Sequence, residues 1–151
     1  MKRSATVLIF LLAATIAALQ RHGLVTKTAL GQHFLVDKRV AARALGYADL
    51  RASDVVLEIG PGLGVLTRDL VERAGRVIAI ESDARLAAHL HRSLSDAEII
   101  HADALKIEWP AFDVMVSNLP YQISSPLTFR LLATPFDRAV LMYQGAFARR
   151  M

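Results

Sequence analysis

Short apolar runs alternate with longer amphipathic stretches along most of this chain. The apolar runs fall at residues 54–59, 76–81, 98–101, 112–117 and 138–144, and the amphipathic stretches at residues 37–47, 65–74, 83–94 and 126–133. Continuous apolar runs are typical of parallel strands buried on both faces, and a helix between successive strands indicates β-α units. The pattern therefore predicts an α/β fold with a doubly wound, mostly parallel sheet of about five strands.

The N-terminal segment does not follow this alternation. Lys2 and Arg3 precede an uncharged, largely apolar stretch at residues 4–20, and Gly23 is a suitable helix stop. We expect a helix here and a basic connector up to residue 29, followed by one domain over residues 30–151. A secretory signal or anchor, or a wrongly assigned start codon, is the alternative. A membrane span needs roughly 20 apolar residues, so we expect no membrane association.

Composition narrows the classes of partner and site. Lys and Arg number 18 against 14 Asp and Glu, and the excess lies in the first 51 residues, which hold eight basic and two acidic side chains. Such a basic arm fits contact with nucleic-acid phosphates, although a solvated surface has the same composition. The absence of Cys excludes disulfides and thiolate metal sites and favours the cytoplasm. No cluster of His and acidic residues has the spacing of metal ligands, so we predict no metal. We also expect the chain to be a monomer.

A glycine-rich turn follows the first predicted strand. Its sequence is EIGPGLG at residues 58–64, and Glu81 ends the next strand 23 residues after Glu58. Glycines let a backbone approach a ligand closely, and an acidic residue ending the second strand of such folds accepts hydrogen bonds from ribose hydroxyls. Dinucleotide enzymes share this layout but have G-x-G-x-x-G spacing. The observed G-x-G-x-G spacing and the acidic Glu58 favour S-adenosyl-L-methionine, lying over Gly60 and Gly62, while a nicotinamide-dependent oxidoreductase remains the alternative.

Two further strand ends carry polar residues. Asp103 follows the third predicted strand, where it either accepts a hydrogen bond from an adenine amino group or caps a turn. Asn118-Leu119-Pro120-Tyr121 ends the fourth strand, beside the crevice where such sheets bind ligands. The Asn118 side-chain oxygen and the Pro120 carbonyl can each accept one N–H of an adenine N6 amine, which aims its lone pair at a methyl donor, and Tyr121 can stack on the base. An ordinary Asn-x-Pro turn is the alternative.

Together these segments resemble the ribosomal RNA adenine N6,N6-dimethyltransferase family of the small subunit, in its archaeal type. The matching segments are LGQHFLVD at 30–37, VLEIGPGLG at 56–64, RVIAIE at 76–81, DA at 103–104, NLPY at 118–121 and LMYQ at 141–144. The resemblance implies a Rossmann-like class I methyltransferase fold and two methyl transfers to N6 of adenines in small-subunit rRNA or a pre-ribosomal particle.

The resemblance also implies residue roles. His33 and Leu35 would contact the cofactor from the N-terminal segment, and Gly60 would line its amino-acid end. Glu81 would hold the ribose, Asp103 the adenine amino group, and Asn118 both cofactor and target. Tyr121 would face the target base, and Phe147 would help wall the base pocket.

Several features depart from the family. Its members continue with two more strands and a small helical domain, whereas this sequence ends at Met151, so we expect the strand at 138–144 to be an exposed edge. Gly145 and Ala146 replace the usual basic and acidic pair. A gene fragment, a decayed copy, a truncated copy or a split gene would each account for these departures, and an inert fragment or RNA-binding assembly factor is the alternative to an active enzyme. A methylase of large-subunit rRNA shares the asparagine-proline motif and also stays open.

Overall fold

The fold is built from six strands and four helices in the part of the chain that the computed structural model describes, residues 6–11 and 38–143. In chain order the elements are β1 (Thr6–Leu11), α1 (Lys38–Ala48), β2 (Val55–Ile59), α2 (Val65–Val71), β3 (Arg76–Glu81), α3 (Ala84–Ser93), β4 (Glu98–His101), β5 (Val114–Asn118), α4 (Ser124–Leu132) and β6 (Arg138–Tyr143). A 3₁₀ turn, Tyr121–Ile123, leads into α4.

All strand pairs in the sheet are parallel, and the strand order is β1-β6-β5-β2-β3-β4. After the edge strand β1, the chain enters the middle of the sheet at β2, proceeds through β3 to β4, and then crosses to the other side of β2 to form β5 and β6. Strand order reverses between β2 and β5, and a parallel sheet opens a ligand crevice at such a point, outside the carboxyl ends of the strands.

Both faces of the sheet are covered, as continuous apolar strands require. On one face α1 and α2 pack through Ala44, Leu45 and Leu70 against Val56 and Val77. On the other face α4 packs through Leu127 and Leu131, together with Phe112, in a cluster that includes Leu57 and Leu141. Alternate residues of one strand thus enter opposite cores, which is the period that a parallel sheet between helices imposes.

The predicted doubly wound α/β fold is confirmed, and most predicted elements lie within a few residues of the observed ones. The β3 and β4 bounds match the prediction, and Asp83 caps α3 by accepting hydrogen bonds from the backbone N–H groups of Arg85 and Leu86. Two helices differ: α2 ends at Val71 rather than residue 74, and α4 begins at Ser124 rather than residue 126.

The helix predicted for the N-terminal stretch is wrong at residues 6–11, which form β1. This strand pairs with β6 in parallel register from Thr6 opposite Arg138 to Leu11 opposite Tyr143. The sheet therefore has six strands rather than about five, and β6 is not the exposed edge that we expected. Periodicity does not separate a short apolar run in a helix from one in a strand, and the run TVLIFL is rich in β-branched residues that favour strands.

Candidate active site

The glycine turn lies at the carboxyl end of β2, where the strand order reverses. Gly60, Gly62 and Gly64 all have positive φ, at 72°, 59° and 77°, a region that other residues enter only with strain. The Gly60 N–H donates to the Ile80 carbonyl of β3 at 2.9 Å. Gly64 begins α2 against α3, so closely that an added methyl group would lie 2.7 Å from the Leu90 and Leu94 side chains. The turn is thus held in place from both sides.

Glu81 lies directly under this turn. Its side chain is buried, and its two carboxylate oxygens accept hydrogen bonds from the backbone N–H groups of Gly62 at 3.1 Å and Asp83 at 2.9 Å. Each carboxylate oxygen has a second lone pair, so both remain able to accept a further hydrogen bond from a ligand. The structure thus brings Glu81 and the glycine turn, which the sequence assigned to one site, into direct contact.

Glu58 is a second buried carboxyl group at the end of β2. It is 2% exposed, and the Thr67 hydroxyl of α2 donates to its Oε2 atom at 2.7 Å. The pKa of Glu58 is raised to about 8, mainly by burial; the Thr67 hydrogen bond lowers it in part, and the nearby negative charge of Glu81 adds a smaller increase. Glu58 is therefore mainly protonated at neutral pH, in contrast to the ionised side chain that its place in the motif suggests.

The segment after β5 meets the glycine turn across the sheet. The Ile59 backbone N–H donates to the buried Ser117 hydroxyl at 2.9 Å, which holds the ends of β2 and β5 together. A methyl group added at Gly60 would lie 3.1 Å from Cγ and 3.2 Å from Cδ of Pro120. The two motifs that sequence analysis singled out therefore approach so closely that a side chain at Gly60 would press on the Pro120 ring.

The Pro120 carbonyl, the proposed acceptor, already has two partners. The Ile123 backbone N–H donates to it at 3.2 Å and the Ser124 hydroxyl at 2.9 Å. A carbonyl oxygen has two lone pairs, so a ligand N–H would displace one of these donors or share it. The Ser124 hydroxyl is the one that can rotate away. Asn118 is the last residue of β5, two residues before Pro120, and Tyr121 opens the 3₁₀ turn that follows.

Asp103 lies one strand further along the same edge. The Ala102 N–H donates to the Glu81 carbonyl at 3.0 Å, which places Asp103 beside the end of β3. The Asp103 Oδ1 atom accepts from the Leu105 N–H at 2.9 Å, and its Oδ2 atom lies 3.4 Å from Lys106 Nζ. Asp103 thus does cap a local turn, and its carboxylate is partly exposed.

Gly60, Gly62, Glu81, Asp103, Asn118 and Pro120 all lie along this one edge. His33, Leu35 and Phe147 lie outside the described residues, as does the side chain of Tyr121. Within the described ranges, no group of three His, Cys, Asp or Glu side chains has the geometry of a metal site. No helix among those same residues is both long and apolar enough to cross a membrane.

Sequence reasoning missed four side chains that support the site. Thr67 holds Glu58, Ser117 joins β2 to β5, Ser124 caps the Pro120 carbonyl, and Arg130 contacts the segment after Asp103. The only available signal was position, since Thr67 lies in the first turn after the glycine motif and Ser124 follows the Asn118–Tyr121 segment by three residues.

Comparisons with known proteins agree with this geometry. A family model described as ribosomal RNA adenine dimethylase matches residues 23–151. A probable ribosomal RNA small subunit methyltransferase A from Methanothermobacter thermautotrophicus is 53% identical over 135 residues, which cover 88% of this chain and 50% of that protein. The chain thus spans about half the length of the curated relatives it matches.

Two solved structures are similar in both fold and sequence. The dimethyladenosine transferase from Plasmodium falciparum has a TM-score of 0.72 and 38% identity, over 78% of this chain and 46% of that one. The 23S rRNA methyltransferase ErmE has a TM-score of 0.70 and 39% identity, over 78% of this chain and 50% of that one. The two similarities are nearly equal, so they support the fold and the kind of site without separating the two rRNA substrates.

Proposed function

The chain belongs to the ribosomal RNA adenine dimethylase family, and on that premise we propose that it binds S-adenosyl-L-methionine and methylates N6 of adenines in small-subunit rRNA. The observation that carries the proposal is the close approach of Gly60 to Pro120, which leaves little room for a side chain on Gly60. It brings a cofactor-type glycine turn against an acceptor-rich segment suited to an exocyclic amine. A methyl donor over the first and an amine held by the second would meet in the crevice between β2 and β5.

The described residues fit the cofactor. The positive φ at Gly60 keeps the turn free of a side chain where a ligand must approach the backbone. Glu81 presents buried carboxylate oxygens of fixed orientation, suited to two ribose hydroxyls, and Asp103 presents an exposed acceptor one strand away, suited to an adenine amino group. When bound, the cofactor supplies an electrophilic methyl group on a positively charged sulfur. We assign His33, Leu35 and Gly62 to the same site.

Asn118 and Pro120 would hold the target amine. An acceptor on each N–H orients the nitrogen so that its lone pair points at the methyl group, and the nitrogen releases its proton to water after transfer, without a strong general base. For the Pro120 carbonyl to take part, the Ser124 hydroxyl turns away from it while the Ile123 hydrogen bond remains. Tyr121 is assigned to stacking on the base.

The names of the relatives support small-subunit rRNA as the substrate. The archaeal relative that covers most of this chain is described as a probable small subunit methyltransferase. The basic excess in the first 51 residues suits rRNA phosphates. A large-subunit rRNA methylase is the second candidate, since the similarity to ErmE is of the same size.

Two variants with different expected defects test the proposal. Calorimetry should detect S-adenosyl-L-methionine binding, and Glu81→Ala should weaken it by roughly 1–3 kcal/mol because a charge-assisted hydrogen bond is lost. Asn118→Ala should abolish methyl transfer to unmodified small-subunit particles while leaving cofactor affinity nearly unchanged. Radiolabelled transfer measured on small-subunit and large-subunit particles in parallel decides the substrate.

Three outcomes would count against parts of the proposal. Binding of NAD instead of S-adenosyl-L-methionine would revive the oxidoreductase interpretation. Cofactor binding without transfer to either particle would favour an inert fragment or an assembly factor. Unchanged turnover in Asn118→Ala would refute the role assigned to that side chain.

A further inference from the structure

The segment between β4 and β5 carries Asp103 and is held by more than its own turn. Locally, the Asp103 carbonyl accepts from the N–H groups of Lys106 at 2.9 Å and Ile107 at 3.3 Å. The Leu105 N–H donates to the Asp103 carboxylate. These bonds shape the turn at residues 103–107 but connect it to nothing else, so they do not set where the turn lies relative to the rest of the site.

The Ala102 N–H bond to the Glu81 carbonyl ties the start of this segment to β3, and Arg130 ties the turn itself to α4. The Arg130 Nη1 atom donates to the Ala104 carbonyl at 2.8 Å, and its Nη2 atom donates to the Ile107 carbonyl. The guanidinium lies 4.6 Å from the ring centroid of Trp109, whose indole N–H donates to the same Ala104 carbonyl at 2.8 Å. One planar cation thus bridges two carbonyls of the turn and stacks on the aromatic ring that follows it.

The other end of α4 is anchored at the proposed target motif. The Ile123 backbone N–H and the Ser124 hydroxyl both donate to the Pro120 carbonyl, the first of these bonds remains when the hydroxyl turns away, and Leu127 and Leu131 are buried against the sheet. Arg130 follows Ser124 by six positions, a rise of roughly 9 Å along a helix. The helix therefore forms a rigid link between the Asn118–Tyr121 segment and the Asp103 turn.

We propose that Arg130 is a positioning residue that sets the Asp103 turn at a fixed distance from the Asn118–Tyr121 segment, so that cofactor and target amine are held in register. The inference rests on the proposed function above. Two parallel donors on one plane are needed to bridge the Ala104 and Ile107 carbonyls, and the point charge of a Lys ammonium does not reproduce that geometry.

Arg138 offers a matched control, because it is also an arginine that ties distant main-chain carbonyls together. It donates to the Ala48 carbonyl at 3.1 Å and the Asp49 carbonyl at 3.3 Å and pairs with Asp54 at 2.6 Å. These contacts lie at the amino end of β6, on the sheet edge opposite the site. Its loss should lower stability as much as the loss of Arg130, without acting on the Asp103 turn.

The experiment compares Arg130→Ala, Arg130→Lys and Arg138→Ala in the full chain, with S-adenosylhomocysteine as the probe and amide hydrogen exchange as a second readout. Arg130→Ala should speed exchange at Leu105, Lys106 and Ile107 and weaken S-adenosylhomocysteine binding at least about tenfold, the effect of misaligning a charge-assisted hydrogen bond. Arg130→Lys should recover only part of either loss. Arg138→Ala should lower the thermal midpoint but leave both readouts at wild-type values.

The two readouts separate this inference from the function on which it rests. If the wild-type chain binds no S-adenosylhomocysteine, the proposed function fails, while exchange at the three amides still tests whether Arg130 orders the turn. Unaltered exchange at these amides in Arg130→Ala overturns the inference. So does an equal change in probe affinity in Arg130→Ala and Arg138→Ala, because the effect would then follow from stability alone.

Discussion

Glu58 is the most perturbed acidic side chain among the described residues, and its pKa links folding to pH. The group has a pKa of about 8 in the folded chain against 4.5 as a free side chain. Between these values the folded chain keeps a proton that the unfolded chain has released. The free energy of unfolding therefore falls as pH rises from about 4.5 to about 8, by at most about 1.4 kcal/mol per pH unit from this group, and levels off above that range.

Glu58→Gln should flatten this dependence, because the amide has nearly the same shape and can still accept from Thr67 but does not ionise. We expect the variant to gain stability relative to wild type as pH rises from 5 to 8. Urea unfolding at each pH measures this directly. Glu72→Gln is the control, since Glu72 is exposed at the end of α2. A variant whose slope equals that of wild type would mean that Glu58 is ionised in the folded chain.

The same carboxyl group bears on cofactor binding. A cation placed near Glu58 favours its ionised form, so uptake of a positively charged cofactor would release a proton from it. A protonated Glu58 in the described structure is therefore compatible with the acidic residue of the motif. Glu58 would then become negatively charged only when the positively charged cofactor is bound beside it.

At the scale of elements, the junction between the β2–α2 turn and the end of β5 depends on the missing side chain at Gly60. A methyl group there would press on the Pro120 ring while φ stays at 72°, so two costs coincide at one position. We expect Gly60→Ala to lower the free energy of unfolding by about 1–3 kcal/mol and to weaken cofactor binding. Equilibrium urea unfolding and calorimetry are the measurements.

Gly46→Ala is the matched control for that substitution. Gly46 lies within α1, and a methyl group added there meets no atom within 4 Å. Alanine is the better helix former by about 1 kcal/mol, so this variant should be as stable as wild type or more stable. If both alanine variants behave alike, the close approach of Gly60 to Pro120 does not constrain the site.

Element boundaries were predictable where local chemistry decides them. Asp83 caps α3 and is visible in the sequence, and β3 is bounded by charged residues at both ends. The region after α2 was not predictable in the same way. Gly75 is required there because a methyl group would lie 2.3 Å from the Ala52 carbonyl oxygen, a contact between segments that no local pattern reveals.

In the candidate site, too, some features were predictable from the sequence and others were not. The types of residue at the strand ends were readable, since the carboxyl ends of parallel strands share one edge and the motifs fall at those ends. The hydrogen bonds already made there were not readable, because they involve partners far away in sequence or on the next helix. The occupied Pro120 carbonyl and the bridge from Arg130 to the Asp103 turn are two examples.

At the scale of the whole molecule, β1 changes what protects the sheet. Without it, β6 would present a row of unpaired backbone groups, and such an edge promotes aggregation. The six residue pairs between β1 and β6 satisfy those groups. They pair the first described strand of the chain with the last one. The sheet therefore joins the two ends of the described chain, which local sequence patterns could not reveal.

Removal of residues 1–11 should therefore destabilise the molecule more than removal of residues 1–5 alone. Each lost backbone hydrogen bond is worth about 1 kcal/mol, partly offset by the entropy of freeing the strand, so the expected difference in the free energy of unfolding is on the order of 2 kcal/mol. The longer deletion should also aggregate on heating, because the edge of β6 becomes available to other copies. Urea unfolding and light scattering compare the two deletions. Equal stability and equal solubility would show that β6 does not depend on β1, and the sheet would then be the five-stranded one that the alternating pattern alone predicts.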